Sequence, residues 1–180
     1  MAIKEILHYP DPRLRIKAAP VAVFDDALQV LIDDLFETMY HARGVGLAAT
    51  QVGVNLRIAV MDTRSRDDDA SARDALGADD GGYAMPMVII NPEYVGVGEK
   101  VKINEGCLSV PDYADDVPRY PRVQMTALDR HGKTFQVDAT ELLSQAIQHE
   151  IDHLDGKLYI DMLSSLKRDR LKKRVSKNAR

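Results

Sequence analysis

Between residues 148 and 156 the chain reads Gln148-His149-Glu150-Ile151-Asp152-His153-Leu154-Asp155-Gly156. The two histidines are four residues apart. On a helix that spacing puts both imidazoles on one face, one turn apart, able to grip a single metal ion. The stretch therefore calls for a helix whose histidine face is turned inward, and the rest of the fold must supply whatever else the ion needs. Glu150 follows the first His directly and points beside the metal, where it could hold and deprotonate a water.

The missing ligand decides the class. A catalytic site of the zinc type uses three protein ligands and keeps a fourth position open. One metalloprotease pattern continues His-Glu-x-x-His-x-x-Gly-x-x-His. This chain follows it to Gly156 and then offers Tyr159, and no histidine occurs after His153. The remaining soft donor is Cys107, the single cysteine, in Glu105-Gly106-Cys107-Leu108-Ser109. A lone cysteine is ordinarily a small buried hydrophobe; the histidine pair shifts the reading toward a ligand. A third stretch, Gly44-Val45-Gly46-Leu47-Ala48-Ala49-Thr50-Gln51, is Gly-rich and apolar and ends in an amide.

Around these stretches the pattern is mixed. Pro10 and Pro12 make an extended, turning entry. Asp25 or Asp26 can cap a helix to about Ala42, with Leu28, Leu31, Leu35 and Met39 at helical spacing and Gly44 just past its end. Residues 45–51 lack a clean period and read as a loop where backbone can approach a ligand. Strands are expected at 56–61, 87–91, 100–104, 120–128 and 134–137, the last two joined by a turn at 129–133. Residues 64–82, with seven charged side chains between Arg64 and Asp74, read as a surface excursion. Asp138 or Thr140 caps the histidine helix, which runs to about Leu154 and stops at Gly156. Ser164 or Ser165 opens a last, basic helix. Strands without an alternating strand–helix rhythm argue for α+β, mainly antiparallel sheets around one buried helix.

At 180 residues, one domain spanning the chain (1–180) is expected. One cysteine permits no internal disulfide, which suits a reducing cytosol. Residues 1–7 are too short and too charged for a signal peptide, and no apolar run is long enough for a membrane span. Net charge is −4, unevenly spread. Residues 164–180 hold eight Lys or Arg and one Asp, a balance of +7 that leaves −11 for the remainder. A basic tail on an acidic body suggests a polyanionic partner; a solvated helix face would look the same.

Taken together, Gly-x-Gly-Leu-Ala-Ala-x-Gln, Glu-Gly-Cys-Leu-Ser and Gln-His-Glu-x-Asp-His-Leu-x-Gly resemble the three signature motifs of the peptide deformylases, in that family's order. The resemblance extends to Tyr9-Pro10-Asp11-Pro12-Arg13-Leu14, Asn91-Pro92 and Val117-Pro118-Arg119. It sets apart residues 64–84 as an insertion where the family commonly has a shorter link. It implies sheets wrapped around a central metal-binding helix, followed by a C-terminal helix. It also implies a bacterial, cytoplasmic hydrolase that removes the formyl group from formylmethionine at the start of new polypeptides.

Residue by residue, the resemblance implies Cys107, His149 and His153 as ligands of one divalent ion, natively Fe2+, with Zn2+, Ni2+ or Co2+ as substitutes. Glu150 is the expected proton carrier, and the Gln51 amide and Leu108 N–H are the expected oxyanion donors. Gly44, Val45, Gly46, Ile103, Glu105, Leu142 and Ala146 fall at substrate-binding positions, Glu105 being expected to brace Cys107 or the Gln51 segment. Asp152 and Arg119 are expected to pair behind the metal. Two departures bear on substrate binding: Gln145 stands where relatives are commonly apolar, and Ala114 where some carry Arg. The basic residues 164–180 match a helix that docks on the ribosome; neither a membrane nor sequence-specific DNA is an expected partner. Two other readings compete: a His-Glu-x-x-His endopeptidase, and a ribosome-binding relative without activity.

Overall fold

The computed structural model describes residues 2–64, 83 and 85–178. The excursion expected at 64–84 thus lies almost wholly outside the described residues. Helix α1 (Asp26–His41) begins at the expected cap: Asp25, in extended backbone, accepts a hydrogen bond from the Leu28 N–H at 2.9 Å. Its stripe of Leu28, Ile32, Leu35 and Met39 is buried.

Residues 45–51 are not the loop expected. Strand β1 (Gly46–Ala48) pairs antiparallel with β2 (Ile58–Met61), and a 3-10 turn spans Ala49–Val52. Every residue from Gly46 to Gln51 is buried, which erases the alternation by which a strand is recognised. With β3 (Met87–Val97), β6 (Arg122–Leu128) and β7 (Thr134–Thr140) these strands make a five-stranded antiparallel sheet in the order β1-β2-β3-β6-β7. Strand β3 runs past the end expected at Asn91, because Asn91-Pro92 is a bulge rather than a stop. The register shifts between Ile90 and Glu93, and Asn91, at φ 49°, exchanges two hydrogen bonds with the Val21 backbone. The β6–β7 turn is as expected: Asp129 accepts from the N–H groups of His131 and Lys133.

The first three strands are apolar on both faces because both faces are covered. Leu47, Ile58, Val60, Val88 and Ile90 pack with the α1 stripe. Ala48, Ala59, Met61 and Ile89 pack with Leu143, Ile147, Ile151 and Leu154 of α2 (Glu141–Leu154). Each large side chain buried this way contributes about 1.5–3 kcal/mol. Thr140 occupies the N-cap position of α2 without a side-chain capping bond, while Asp138 is drawn into an ion pair with Arg122.

Strands β4 (Val101–Cys107) and β5 (Val110–Arg119) form a separate two-stranded ribbon on the other side of α2. Helix α3 (Ser165–Asn178) starts after Ser164, whose hydroxyl accepts from Lys167 N–H. Leu171 is buried against Val110, Val117, Tyr159 and Ile160, whereas Leu166 is exposed. The architecture is α+β, with antiparallel sheets either side of a central helix and a further helix at the C-terminal end.

Candidate active site

The two histidines lie on the inner face of α2, and the ribbon brings Cys107 to them. Cys107 Sγ is 3.2 Å from His153 Nε2, and the two Nε2 atoms are 3.1 Å apart. All three donor atoms lie within 4.8 Å of one another. A tetrahedral ion with metal–nitrogen bonds near 2.1 Å and a metal–sulfur bond near 2.3 Å needs edges of about 3.4 and 3.6 Å, so the two edges that meet at His153 Nε2 stand almost at ligation distance.

Their protonation is set by their neighbours. His149 Nδ1 lies 2.5 Å from Glu105 Oε1. Burial would lower the His149 pKa, but Cys107 and then Glu105 raise it well above the ordinary value; Glu105 holds the Nδ1 proton, and the Nε2 proton is the one that metal binding would release. Burial would raise the Glu105 pKa, but the bonds from Arg119 and then from His149 hold it at about 2. Burial, then the neighbouring His149, drives His153 well below its ordinary value, so it stays neutral.

Behind Glu105 stands Arg119, itself buried. Its Nε and Nη2 donate to the two Glu105 oxygens at 2.9 and 2.6 Å, and its Nη1 donates to Asp152 at 2.6 Å. The expected Arg119–Asp152 contact is therefore present and also reaches Glu105. Glu105 does not brace Cys107 or the Gln51 segment as expected: both its oxygens are taken by Arg119 and His149, although the residue lines the cavity described below.

Glu150 is 3% exposed, and its Oε2 has no hydrogen-bond partner among the described residues. Burial raises its pKa to about 7. It sits against Gly46, where an added Cβ would fall 2.3 Å from Glu150 Oε1. The glycine thus makes room for the carboxylate rather than for a ligand. Gln51 is oriented by the backbone: its Oε1 accepts from Ala48 N–H at 2.9 Å, which turns the NH2 group toward Ser109 Oγ at 3.1 Å and Cys107 Sγ at 3.8 Å.

These groups form the floor of a cavity of about 750 Å³. Gly44, Val45, Gly46, Leu142 and Ala146, five of the positions that the resemblance puts at the substrate, line it, together with Leu108, Ala114 and Gln145. Ile103 does not: it lies two residues, about 7 Å, further out along β4 than Glu105. Gln145 ties its amide to the Asn104 carbonyl at 3.1 Å.

Three residues were given no role by sequence reasoning. Gln148 bonds both backbone groups of Tyr120, accepting from its N–H and donating to its C=O at 2.9 Å each, which fixes the roll of α2. Ser109 receives the Gln51 amide and donates its own N–H to Cys107 Sγ at 3.4 Å. Tyr159 stands against His149 with ring centroids 6.2 Å apart. Gln148 and Ser109 lie inside the quoted motifs; nothing local marks Tyr159.

Comparison with known proteins identifies the family. The sequence model of the polypeptide deformylase family matches residues 3–169. The peptide deformylase of Pseudomonas aeruginosa is 50% identical over 181 residues, covering all of this chain and 98% of that protein. That of Alkalilimnicola ehrlichii is 48% identical over 180 residues, covering 100% and 93%. Among solved structures, a peptide deformylase from Legionella pneumophila superposes with a TM-score of 0.83 at 46% identity, over 99% of this chain and 96% of that one. The Ehrlichia chaffeensis enzyme in complex with actinonin gives 0.86 at 39%, over 100% and 99%. With the motifs, the fold and nearly the full length in common, this chain belongs to the polypeptide deformylase family.

Proposed function

We propose that this protein removes the N-formyl group from formylmethionine at the start of newly made polypeptides, releasing formate and a free amino group. The observation that carries the reading is the convergence of Cys107 Sγ with both histidine Nε2 atoms beside the unpartnered Glu150 Oε2, at the floor of a cavity wide enough for a peptide end. Cys107, His149 and His153 would hold one divalent cation. Such an ion, when bound, supplies Lewis acidity that brings the pKa of water to about 7 and polarises a carbonyl oxygen.

The side chains do the rest. Glu150 takes the proton of the attacking water and returns it to the leaving amine, a role for which a pKa near neutrality is suited. The Gln51 amide and the Leu108 N–H stabilise the oxyanion at the formyl carbon, each such donor being worth about 3 kcal/mol of barrier. The methionine side chain rests against Val45, Leu142 and Ala146. Arg119, Glu105 and Asp152 keep His149 in its ligating tautomer.

A thiolate with two imidazoles suits several ions, and ferrous iron is the native metal in this reading, with zinc, nickel or cobalt as substitutes. The competing endopeptidase reading lacks a third downstream histidine. An inactive ribosome-binding relative would have no use for the intact ligand set, Glu150 and Gln51.

The test is formate release from formyl-Met-Ala-Ser by anaerobically prepared, iron-loaded protein beside Glu150→Ala of equal metal content. Rapid release by the wild type and almost none by the variant is the expected outcome; no release by folded, metal-loaded wild type would discard the reading. Zinc-loaded protein should be slower than iron-loaded protein, and equal rates would remove the preference for iron.

The reading also places the protein in the bacterial cytoplasm, where formylated chains are made. Among the described residues, no helix is long and apolar enough to cross a membrane. Helix α3 supplies the partner surface: Arg168, Arg170, Lys172, Lys173 and Arg174 are exposed, and they suit phosphate contact with the ribosome. Removing the helix would uncover the cluster around Leu171, so reversing the charge of Arg170 and Lys173 is the cleaner test. Co-sedimentation with ribosomes should weaken in the double variant and in high salt; salt-independent binding would refute an electrostatic tail.

A further inference from the structure

One wall of the substrate cavity is formed by Asp112, Tyr113 and Ala114 of β5, and that wall belongs to the ribbon. Among the described residues, the ribbon pairs with no strand of the five-stranded sheet. A hairpin alone is marginally stable at best, so its placement depends on what is packed and bonded against it. On the β4 side the anchors are to α2, Glu105 on His149 and the Asn104 carbonyl on Gln145. On the β5 side they come from the C-terminal part of the chain. Tyr159 donates its hydroxyl proton to the Tyr113 carbonyl at 2.9 Å. Tyr113 donates its own hydroxyl proton to Asp115 Oδ2 at 2.8 Å. The other Asp115 oxygen receives Lys167 Nζ of α3 at 2.6 Å. Leu171 of the same helix is packed against Val110 and Val117 of β5.

We infer that Lys167 and Asp115 are positioning residues for the substrate wall, so that helix α3 is part of the peptide-binding apparatus as well as a basic surface. The inference rests on the cavity's being the peptide site. Neither side chain lines the cavity. Lys167 holds the Asp115 carboxylate; Asp115 holds the Tyr113 hydroxyl; together with Tyr159 they set how far the Tyr113–Ala114 backbone stands from the floor. His149 and His153 are fixed on α2, and the part of the ribbon that carries Cys107 is held to α2 by Glu105 on His149 and by Arg119 on Asp152, contacts that use neither Lys167 nor Asp115. Loosening this anchor therefore alters how well the wall meets a bound peptide and leaves the chemical step alone. Lys167 is half exposed, so the contact is screened by salt.

The test is steady-state formate release from formyl-Met-Ala-Ser by the full-length, iron-loaded protein, with metal content and thermal midpoint recorded for every variant. Lys167→Met and Asp115→Asn should each raise KM about two- to fivefold, the range a partly exposed ion pair can supply, with kcat unchanged. Lys167→Arg should restore the wild-type KM. High salt should raise the wild-type KM toward that of Lys167→Met and leave the variant where it is. Wild-type KM in both variants would overturn the inference, as would loss in kcat with KM unchanged. So would a rise in KM that Lys167→Arg does not repair while the thermal midpoint is unmoved. Formate release by the wild type tests the deformylase reading independently; its absence would sink that reading and this inference with it.

Discussion

Gly46→Ala is the smallest substitution that should disable the site. Gly46 lies in a strand, where alanine meets no backbone penalty. The difficulty is the space. The new Cβ would stand 2.3 Å from Glu150 Oε1, 2.9 Å from its Cδ and 3.0 Å from its Cγ. Ordinary contact between such atoms begins near 3.5 Å, so the carboxylate must retreat by about 1 Å. Glu150 is buried, and the whole end of the side chain is involved, so rotation of a single tip does not relieve the contact. A misplacement of about 1 Å in a proton-transferring group lowers the rate on the order of 100-fold. Overpacking of this kind also costs about 1–3 kcal/mol of stability. The expected result is a fall in kcat of that order, with the metal retained and KM little changed, read from formate release alongside metal analysis. Gly44→Ala is the control: its Cβ meets Leu108 Cδ1 at 2.5 Å, the end of a side chain that can turn aside. Wild-type kcat in Gly46→Ala would refute the idea that the glycine seats Glu150.

Other outcomes follow from the same geometry. Gln51→Ala should lower kcat about 100-fold or more, with secondary structure intact; an unchanged kcat would remove Gln51 from the oxyanion site. Asp152→Ala should weaken metal retention about tenfold while leaving the Arg119–Glu105 pair in place, and unchanged metal content after dialysis against chelator would count against it. Arg119→Met should be far more damaging, on the order of 3–5 kcal/mol in denaturant melts, because it leaves the buried Glu105 without its cation. Asp62 gives a pH prediction. Burial would raise its pKa, but hydrogen bonds from Arg64 and from the Tyr40 hydroxyl lower it overall. A depressed pKa adds stability that is present above the unfolded value, near 4, and is lost as pH falls below it. The stability difference between wild type and Asp62→Asn should therefore shrink on acidification; a difference that is constant with pH would contradict this.

Features governed by local chemistry were readable in the chain. Asp25 caps α1 through its own side chain, the Leu28-to-Met39 stripe repeats at helical spacing, and Asp129 closes its turn on neighbouring N–H groups. The histidine pair needs only a helix to converge. What was hidden depends on distant partners. Strand β5 carries Pro111, Pro118 and three aspartates, a poor strand by propensity, and is a strand because β4 pairs with it. Both strands of that ribbon are edges, where proline is tolerated. Residues 46–51 lost their period to two-sided burial. Glu105 was placed near the cysteine by its neighbours in sequence, but its partners, Arg119 and His149, come from another strand and from a helix. Tyr159, where a protease pattern would put histidine, reaches His149 only because the chain folds back after α2.

The junction of Arg119 with Glu105 and Asp152 also sets an order in which this protein can drift. Substituting position 152 is the mildest single change, since the bidentate Arg119–Glu105 pair survives it. Position 105 can change only while Asp152 remains: its loss frees the His149 tautomer but leaves Arg119 with the carboxylate of Asp152. Position 119 can change only after position 105 has lost its charge, because the reverse order passes through a protein with a sealed-in, uncompensated carboxylate. A lineage leaving this arrangement, or an engineer redesigning it, must therefore discharge Glu105 before Arg119 and keep Asp152 until Arg119 has gone.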